Sequence, residues 1–197
     1  MIKNICFDLD GVLFAPTCFK DFKAKISTLT PYAEKIDEIF HGSKMDDFKR
    51  GKVSEPDFWH YADTELGLTL GIKGYFDLLK DSYILEPEVV ELITALKKKD
   101  KIISICTNNF PTRIQALNAA TNFLELIDVP ILSYQIGSLK PEKQIYEALI
   151  DRSGCSANEI FYSDDNEQKL KGARDLGISC VVVHDLTVLF ETIRKIT

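Results

Sequence analysis

The chain has 197 residues, with 24 Lys and Arg against 30 Asp and Glu, a formal net charge of −6 and 45% hydrophobic residues. That length buries a full core, as one domain or as one domain carrying a large insertion. The acidic balance, without a stripe of Lys and Arg interleaved with aromatics, argues against nucleic acid as a partner. No stretch approaches membrane-spanning length, so neither an anchor nor a signal peptide is expected. Five scattered cysteines, with no CxxC pair or His/Cys cluster, argue against zinc and for reduced core residues in a cytoplasmic protein.

The first element is the apolar run Ile5-Cys6-Phe7, a buried strand by its composition, which ends in Asp8-Leu9-Asp10-Gly11-Val12-Leu13. Side chains at i and i+2 of an extended segment point the same way, so Asp8 and Asp10 are expected to converge, with Gly11 free to turn beyond them. Two like charges so close need a proton or a cation between them. From about Thr17 to Tyr83 the pattern becomes a series of amphipathic helical stretches. Within it, Ser54-Glu55-Pro56-Asp57 ahead of Phe58-Trp59 reads as a capped helix start.

Alternation of strand and helix resumes at Glu86. Glu86-Pro87-Glu88 opens a helix with an apolar face of Val89, Val90, Leu92, Ile93 and Leu96, and Lys97-Lys98-Lys99 at its end suits the negative pole of the helix. Ile102 to Cys106 follows as a strand, a helix runs from about Pro111 to Leu126, and a short strand lies near Ile131. A helix is expected from Pro141 through Ile150, then a strand at Ile160-Phe161-Tyr162, a last strand from Ile178 to Val183, and a C-terminal helix. Strands separated by helices imply an α/β fold with a doubly wound parallel sheet. The expected division is a Rossmann-like core of residues 1–16 and 84–197, with the helical block 17–83 inserted as a lid over the C-terminal edge of the sheet.

Three later strand ends share the polar character of the first. Ile102 to Cys106 ends in Thr107-Asn108-Asn109, where side chain and backbone N–H groups together suit an anion. Ser138-Leu139-Lys140-Pro141 carries a single Lys ahead of a helix, and Phe161-Tyr162-Ser163 ends in Asp164-Asp165-Asn166. Taken singly, Thr107 and Asn108 can be helix caps, Lys140 a surface charge and the Asp pair a turn. Taken together at one edge of one parallel sheet, they surround a point with four carboxylates, a hydroxyl, two amides and an ammonium. That set holds an oxygen-preferring divalent cation and a phosphate, and offers no histidine for zinc.

In this order and spacing the four elements resemble those of haloacid dehalogenase superfamily phosphatases with a helical cap. The resemblance covers Met1 to about Ala15 and about Glu86 to the end. It implies that Asp8 is a nucleophile that becomes phosphorylated and that Asp10 is the general acid and then the base. It also implies that Thr107 and Asn108 bind phosphoryl oxygens and that Lys140 neutralises charge shared by Asp8 and the phosphate. The implied cofactor is Mg²⁺, held by Asp8, the Asp10 carbonyl and Asp165, with Asp164 behind it or bound directly. One departure stands out: Lys169 occupies the position four after Asp165 where relatives usually carry Asn or Asp, which bears on metal affinity and on the shape of the last loop.

A general acid two residues after the nucleophile separates phosphate transfer from carbon–halogen cleavage, because a departing halide needs no proton. The implied activity is a magnesium-dependent phosphohydrolase acting on a small phosphorylated metabolite. Arg50 to Ser54 with Phe58, and the Tyr134 to Tyr146 segment, are similar to bacterial sugar-phosphate phosphatases such as the glucose-1-phosphatase group. A sugar-phosphate mutase shares the first half-reaction. A phospho-accepting receiver domain assembles a comparable set of groups, but its acceptor lies at a middle strand and it lacks an inserted cap. A binding protein that has lost turnover is disfavoured by the presence of every key side chain. Lys44, Arg50 and His60 are candidate substrate contacts or solvated helix residues, and Trp59 a candidate core residue of the cap.

Overall fold

A computed structural model of the chain describes residues 1–15 and 17–197. Five strands, β1 (Asn4–Phe7), β2 (Ile102–Thr107), β3 (Val129–Leu132), β4 (Ile160–Asp164) and β5 (Ser179–Val182), form one parallel sheet in the order β3-β2-β1-β4-β5. The α/β reading of the sequence holds. β1 lies at the centre with all four residues buried, and a strand covered on both faces requires the near-continuous apolar run it has. Its one amide, Asn4, donates from Nδ2 to Ser104 Oγ at 2.8 Å, while its buried Oδ1 has no hydrogen-bond partner among the described residues. The strand period divides the core: Ile5 and Phe7 join the cluster on one face with Ile103, Ile105 and Leu117, while Cys6 joins Cys106, Ile145 and Tyr162 on the other.

The chain builds outward from β1 to β2 and β3, then returns to β4 and β5 on the opposite side. The C-terminal ends of β1 and β4 therefore flank the point where strand order reverses, the place where open α/β sheets bind ligands. Helices α6 (Pro87–Lys97), α7 (Pro111–Thr121), α8 (Ser133–Ile136), α9 (Lys143–Ser153), α10 (Lys171–Asp175) and α11 (Leu186–Ile196) accompany the strands after β1.

Between β1 and α6 lie α1 (Cys18–Ser27), α2 (Ile36–His41), α3 (Ser43–Lys49), α4 (Glu55–Leu66) and α5 (Gly71–Lys80), with no strand among the described residues from 17 to 83. Ser54 caps α4 by accepting from the Asp57 N–H. These helices pack on the segment that opens α7. Trp59 stacks on Tyr75 with ring centroids 4.2 Å apart and meets Phe110 edge-on at 5.8 Å, Phe48 stacks on Phe110 at 5.2 Å, and Trp59 Nε1 donates to Thr112 Oγ1 at 2.6 Å. Trp59 is thus a core residue. Gly51 is needed where it stands: its φ is +71°, and a Cβ there would come within 2.4 Å of the Tyr134 carbonyl oxygen.

The structure corrects the bounds of three elements. The helix expected to reach Leu126 ends at Thr121, because Asn122 takes a left-handed conformation at φ 53° and hands over to a 3₁₀ turn at Phe123–Leu126. The helix expected from Pro141 begins at Lys143. Glu142 accepts from the Leu139 N–H at 3.2 Å and from Ser138 Oγ at 2.8 Å, so residues 138–142 are held as a loop. The last strand is shorter than expected at Ser179–Val182. All five cysteines are free thiols, and no helix is long and apolar enough to cross a membrane among the described residues.

Candidate active site

Asp8 follows the last residue of β1 and is only 3% exposed. Its backbone N–H continues the sheet by donating to the Ser163 carbonyl at 2.8 Å. Its Oδ1 accepts the Leu9 N–H at 2.7 Å and lies 2.9 Å from Lys140 Nζ. The chain then turns sharply: the N–H groups of Leu13 and Phe14 both donate to the Leu9 carbonyl. Gly11 makes the turn at φ +70°, and a Cβ there would lie 3.0 Å from Asp165, so the absence of a side chain lets this loop close on the β4 end.

Lys140, expected at the end of a strand, reaches the site instead from the loop before α9, because β3 ends at Leu132 and a short helix follows it. The Asn108 amide fixes its backbone from both sides, accepting from the Lys140 N–H at 2.7 Å and donating to its carbonyl at 3.1 Å. The buried ammonium then donates to Asp164 Oδ2 at 2.6 Å and to the Tyr162 hydroxyl at 2.8 Å, and lies 2.9 Å from Asp8 Oδ1. These three contacts match its three protons. Tyr162, unmarked in the sequence, lies beneath the site and donates to Asp164 Oδ2 at 2.5 Å. Thr107 is buried at the end of β2, and Asn109 holds the next turn by accepting from the Phe110 N–H at 3.1 Å. The Asn108 side chain is engaged with the backbone that carries Lys140.

Burial and the neighbouring Asp164 push the Asp8 carboxyl upward, against the pull of Lys140 and Lys169. Burial also works to raise Asp164, but the two ammoniums, Lys140 first, outweigh it and hold that carboxyl below its ordinary range. Lys140 itself is held well above the ordinary lysine value, since Asp164 and Asp8 overcome the burial that disfavours its charge. Asp165 is more open and is pushed up to about 6, by burial first and then by Asp8.

Asp8, Asp164 and Asp165 each present a carboxylate oxygen within 4.8 Å of the other two. A set of hard oxygen donors suits Mg²⁺ or another oxygen-preferring divalent ion, so the residues fit the implied metal. A second cation already faces all three. Lys169 Nζ lies 3.6 Å from Asp8 Oδ2, 3.9 Å from Asp164 Oδ1 and 4.0 Å from Asp165 Oδ1.

The Asp10 side chain is arranged differently from the sequence reading. The extended geometry behind the expected convergence with Asp8 ends at Phe7, and the Asp10 carboxylate faces Arg113 of α7. Arg113 Nη2 donates to its two oxygens at 2.5 and 2.7 Å. The guanidinium is buried under the Phe19 ring at 4.6 Å and the Tyr83 ring at 5.0 Å, a position that suits its flat, weakly hydrated cation. Burial disfavours this charge, but Asp10 outweighs the penalty and holds Arg113 above its usual value. Nothing local marks Arg113 in the sequence; it shares the buried side of α7 with Ile114 and Leu117.

Of the three candidate substrate contacts, Lys44 lies over the Tyr61 ring at 3.9 Å. Arg50 grips Glu142 with two hydrogen bonds at 2.7 and 2.6 Å, and His60 is exposed on α4. Lys49 of α3 instead is the lysine of this helical block near the site. Burial pushes its ammonium down to about 8; Asp46 opposes, while the positive charges of Arg113 and Lys169 act with burial.

The family described as haloacid dehalogenase-like hydrolase matches residues 2–177 of the chain. The mouse bifunctional epoxide hydrolase 2 is 26% identical across all of this chain, which spans 39% of that relative's length. A D-ribitol-5-phosphate phosphatase of Bacteroides thetaiotaomicron is 26% identical over 90% of this chain and 89% of its own. Among solved structures, a haloacid dehalogenase family enzyme of the same bacterium, in complex with magnesium and inorganic phosphate, superposes with a TM-score of 0.78. It is 22% identical and covers 96% of this chain and 100% of its own, a likeness of fold. The family match sets aside the receiver-domain alternative.

Proposed function

The chain belongs to the haloacid dehalogenase-like hydrolase family, and from that premise we propose that it is a phosphomonoesterase that works through an aspartyl-phosphate. The observation that carries the reading is the fixing of one Asp8 oxygen, Oδ1, between the Leu9 N–H and the Lys140 ammonium. That arrangement leaves Oδ2 to meet phosphorus. Asp8 Oδ2 forms the new bond to phosphorus as the bond to the leaving oxygen breaks. Asp10 gives that oxygen a proton, then takes one from the water that hydrolyses the phosphoenzyme. Thr107 at the β2 end serves the phosphoryl oxygens, and Asn108 aligns Lys140. Arg113 must share Asp10 with the leaving group, so it sets where the acid stands.

Asp8, Asp164 and Asp165, with the Asp10 carbonyl, would hold Mg²⁺, which when bound neutralises repulsion between Asp8 and an anionic substrate. The helices of residues 17–83 act as a cap domain that excludes water and reads the leaving group. A small phosphorylated metabolite, and within that class a sugar phosphate, is supported by the match along 90% of this chain to the bacterial ribitol-phosphate phosphatase. Hydrolysis is favoured over a mutase by the same relative.

The test is release of inorganic phosphate from a panel of phosphorylated metabolites at saturating Mg²⁺, with wild type and Asp8→Asn compared. Wild type is expected to turn over at least one sugar phosphate and to form an acid-stable phosphoenzyme. Asp8→Asn is expected to do neither, because an amide oxygen is a far poorer nucleophile. A phosphoenzyme in the Asp8→Asn protein would overturn the assignment.

A further inference from the structure

We propose that Lys169 is a tethered counter-cation of the acidic triad, so that a divalent ion binds there only by displacing its ammonium. This rests on reading Asp8, Asp164 and Asp165 as the Mg²⁺ site. The first support is position. Lys169 Nζ lies 3.6 to 4.0 Å from one oxygen of each carboxylate, the same three residues whose oxygens converge within 4.8 Å. An ion shared by these carboxylates and this ammonium compete for the same negative charge.

The second support is charge. The triad carries three formal negative charges, and Lys140, with 0% side-chain exposure, already returns one. With Lys169 the balance of these five groups falls from −2 to −1, which halves the net charge available to a divalent ion. Lys140 cannot leave, because its ammonium has direct contacts of 2.6 to 2.9 Å with Asp164, Tyr162 and Asp8.

The third support is mobility. Contacts of 3.6 to 4.0 Å are ion pairs without direct hydrogen bonds. The Lys169 side chain is 30% exposed and ends a flexible four-carbon stem. It stands in a 3₁₀ turn, Glu167–Leu170, pinned by Asn166 Oδ1 accepting from the Gln168 N–H and by the Tyr146 hydroxyl on the Lys169 carbonyl. The backbone of Lys169 is fixed while its ammonium is free to swing aside. The site therefore holds its carboxylates together without metal and takes up Mg²⁺ weakly.

The experiment is calorimetric titration of MgCl₂ into the purified full chain, as wild type, Lys169→Met and Lys169→Asn, with no substrate present. Met removes the charge at similar length and adds no oxygen ligand; Asn removes it and can add one. Both variants are expected to bind Mg²⁺ about 10–100-fold more tightly than wild type, the range that a single neighbour of a metal site commands. Circular dichroism on each protein establishes that it is folded. Equal affinity in wild type and Lys169→Met overturns the proposal, including the case in which Asn alone tightens binding, since Lys169 would then be a missing ligand rather than a competitor. Absence of Mg²⁺ binding in all three folded proteins overturns it together with the reading of the triad as a metal site. That result is distinct from the first, in which the metal site stands.

Discussion

The two halves of the site use the same chemistry at different depths. In the inner half, Lys140, Asp8 and Asp164 have side chains 0 to 4% exposed, and the ammonium contacts both carboxylates within 2.9 Å. In the outer half, Asp10, Asp165 and Lys169 have side chains 30 to 38% exposed, and Lys169 stays 3.6 Å or more from its partners. Low dielectric strengthens the inner pairs and makes their loss severe, whereas water screens the Lys169 pairs and lets them exchange. On the mechanism proposed above, the inner half is framework that aims Asp8, and the outer half is where a leaving group, a metal ion and a proton would come and go.

Beyond loss of the nucleophile itself, the largest expected effect lies on the outer half. Asp10→Asn should slow turnover of a sugar phosphate by about 10²–10⁴-fold, the usual range for a general acid or base. The loss should be smaller for phosphorylation by an aryl phosphate, whose leaving oxygen needs less help. Single-turnover phosphorylation with both substrates checks this, and equal losses would remove Asp10 from the acid role.

Stability should separate the halves next. Lys140→Met strands Asp8 and Asp164 in a dry site and should destabilise the fold by about 3–5 kcal/mol, whereas Lys169→Met should change it by less than about 1 kcal/mol. Urea denaturation of the metal-free proteins at pH 7 measures both, and similar losses would erase the distinction of depth.

Tyr162→Phe probes the inner half more gently, since it removes a hydroxyl shared by Lys140 and Asp164 while keeping the ring. A loss of about 1–3 kcal/mol is expected from the partners left unsatisfied, read from the same denaturation curves.

The smallest effect belongs to the clamp outside the site. The Arg50 hydrogen bonds hold Glu142 down to about 2, from an ordinary 4.5. A depressed carboxyl contributes stability that is full above pH 4.5 and is lost as pH falls toward 2. Because the Glu142 side chain is 46% exposed, Arg50→Met should cost less than about 1 kcal/mol at pH 7. The difference from wild type should vanish by about pH 2, and a penalty independent of pH would assign Arg50 a packing role instead.

Much of this arrangement is legible in the residues. The apolar runs ending at Asp8, Thr107 and Asp164 announce strands whose polar ends gather at one sheet edge, and the Ser54 cap is a local pattern that folds as read. Lys140 is legible as a residue, but the loop that presents it is not, because it depends on Glu142 holding Ser138 and Leu139 and on Asn108 holding the Lys140 backbone. Arg113 and Lys49 carry no local mark. Both sit on helices, and their meaning comes only from what packs over them.

The sequence by itself determined the inventory: an α/β alternation, the polar ends of β1, β2 and β4, the lysine at position 140, and a lysine four residues after Asp165. Such features follow from patterns a few residues long, the strand and helix periods and the local chemistry of caps and turns. Only the tertiary structure decided the pairing. Asp10 meets Arg113 across 103 residues, and Lys140 reaches Asp164 while Lys169 reaches back to Asp8. Those choices depend on how the crossovers return each strand end to the β1–β4 junction and on how much water each pair keeps. No window of the sequence contains that information, because burial and long-range distance are properties of the packed chain.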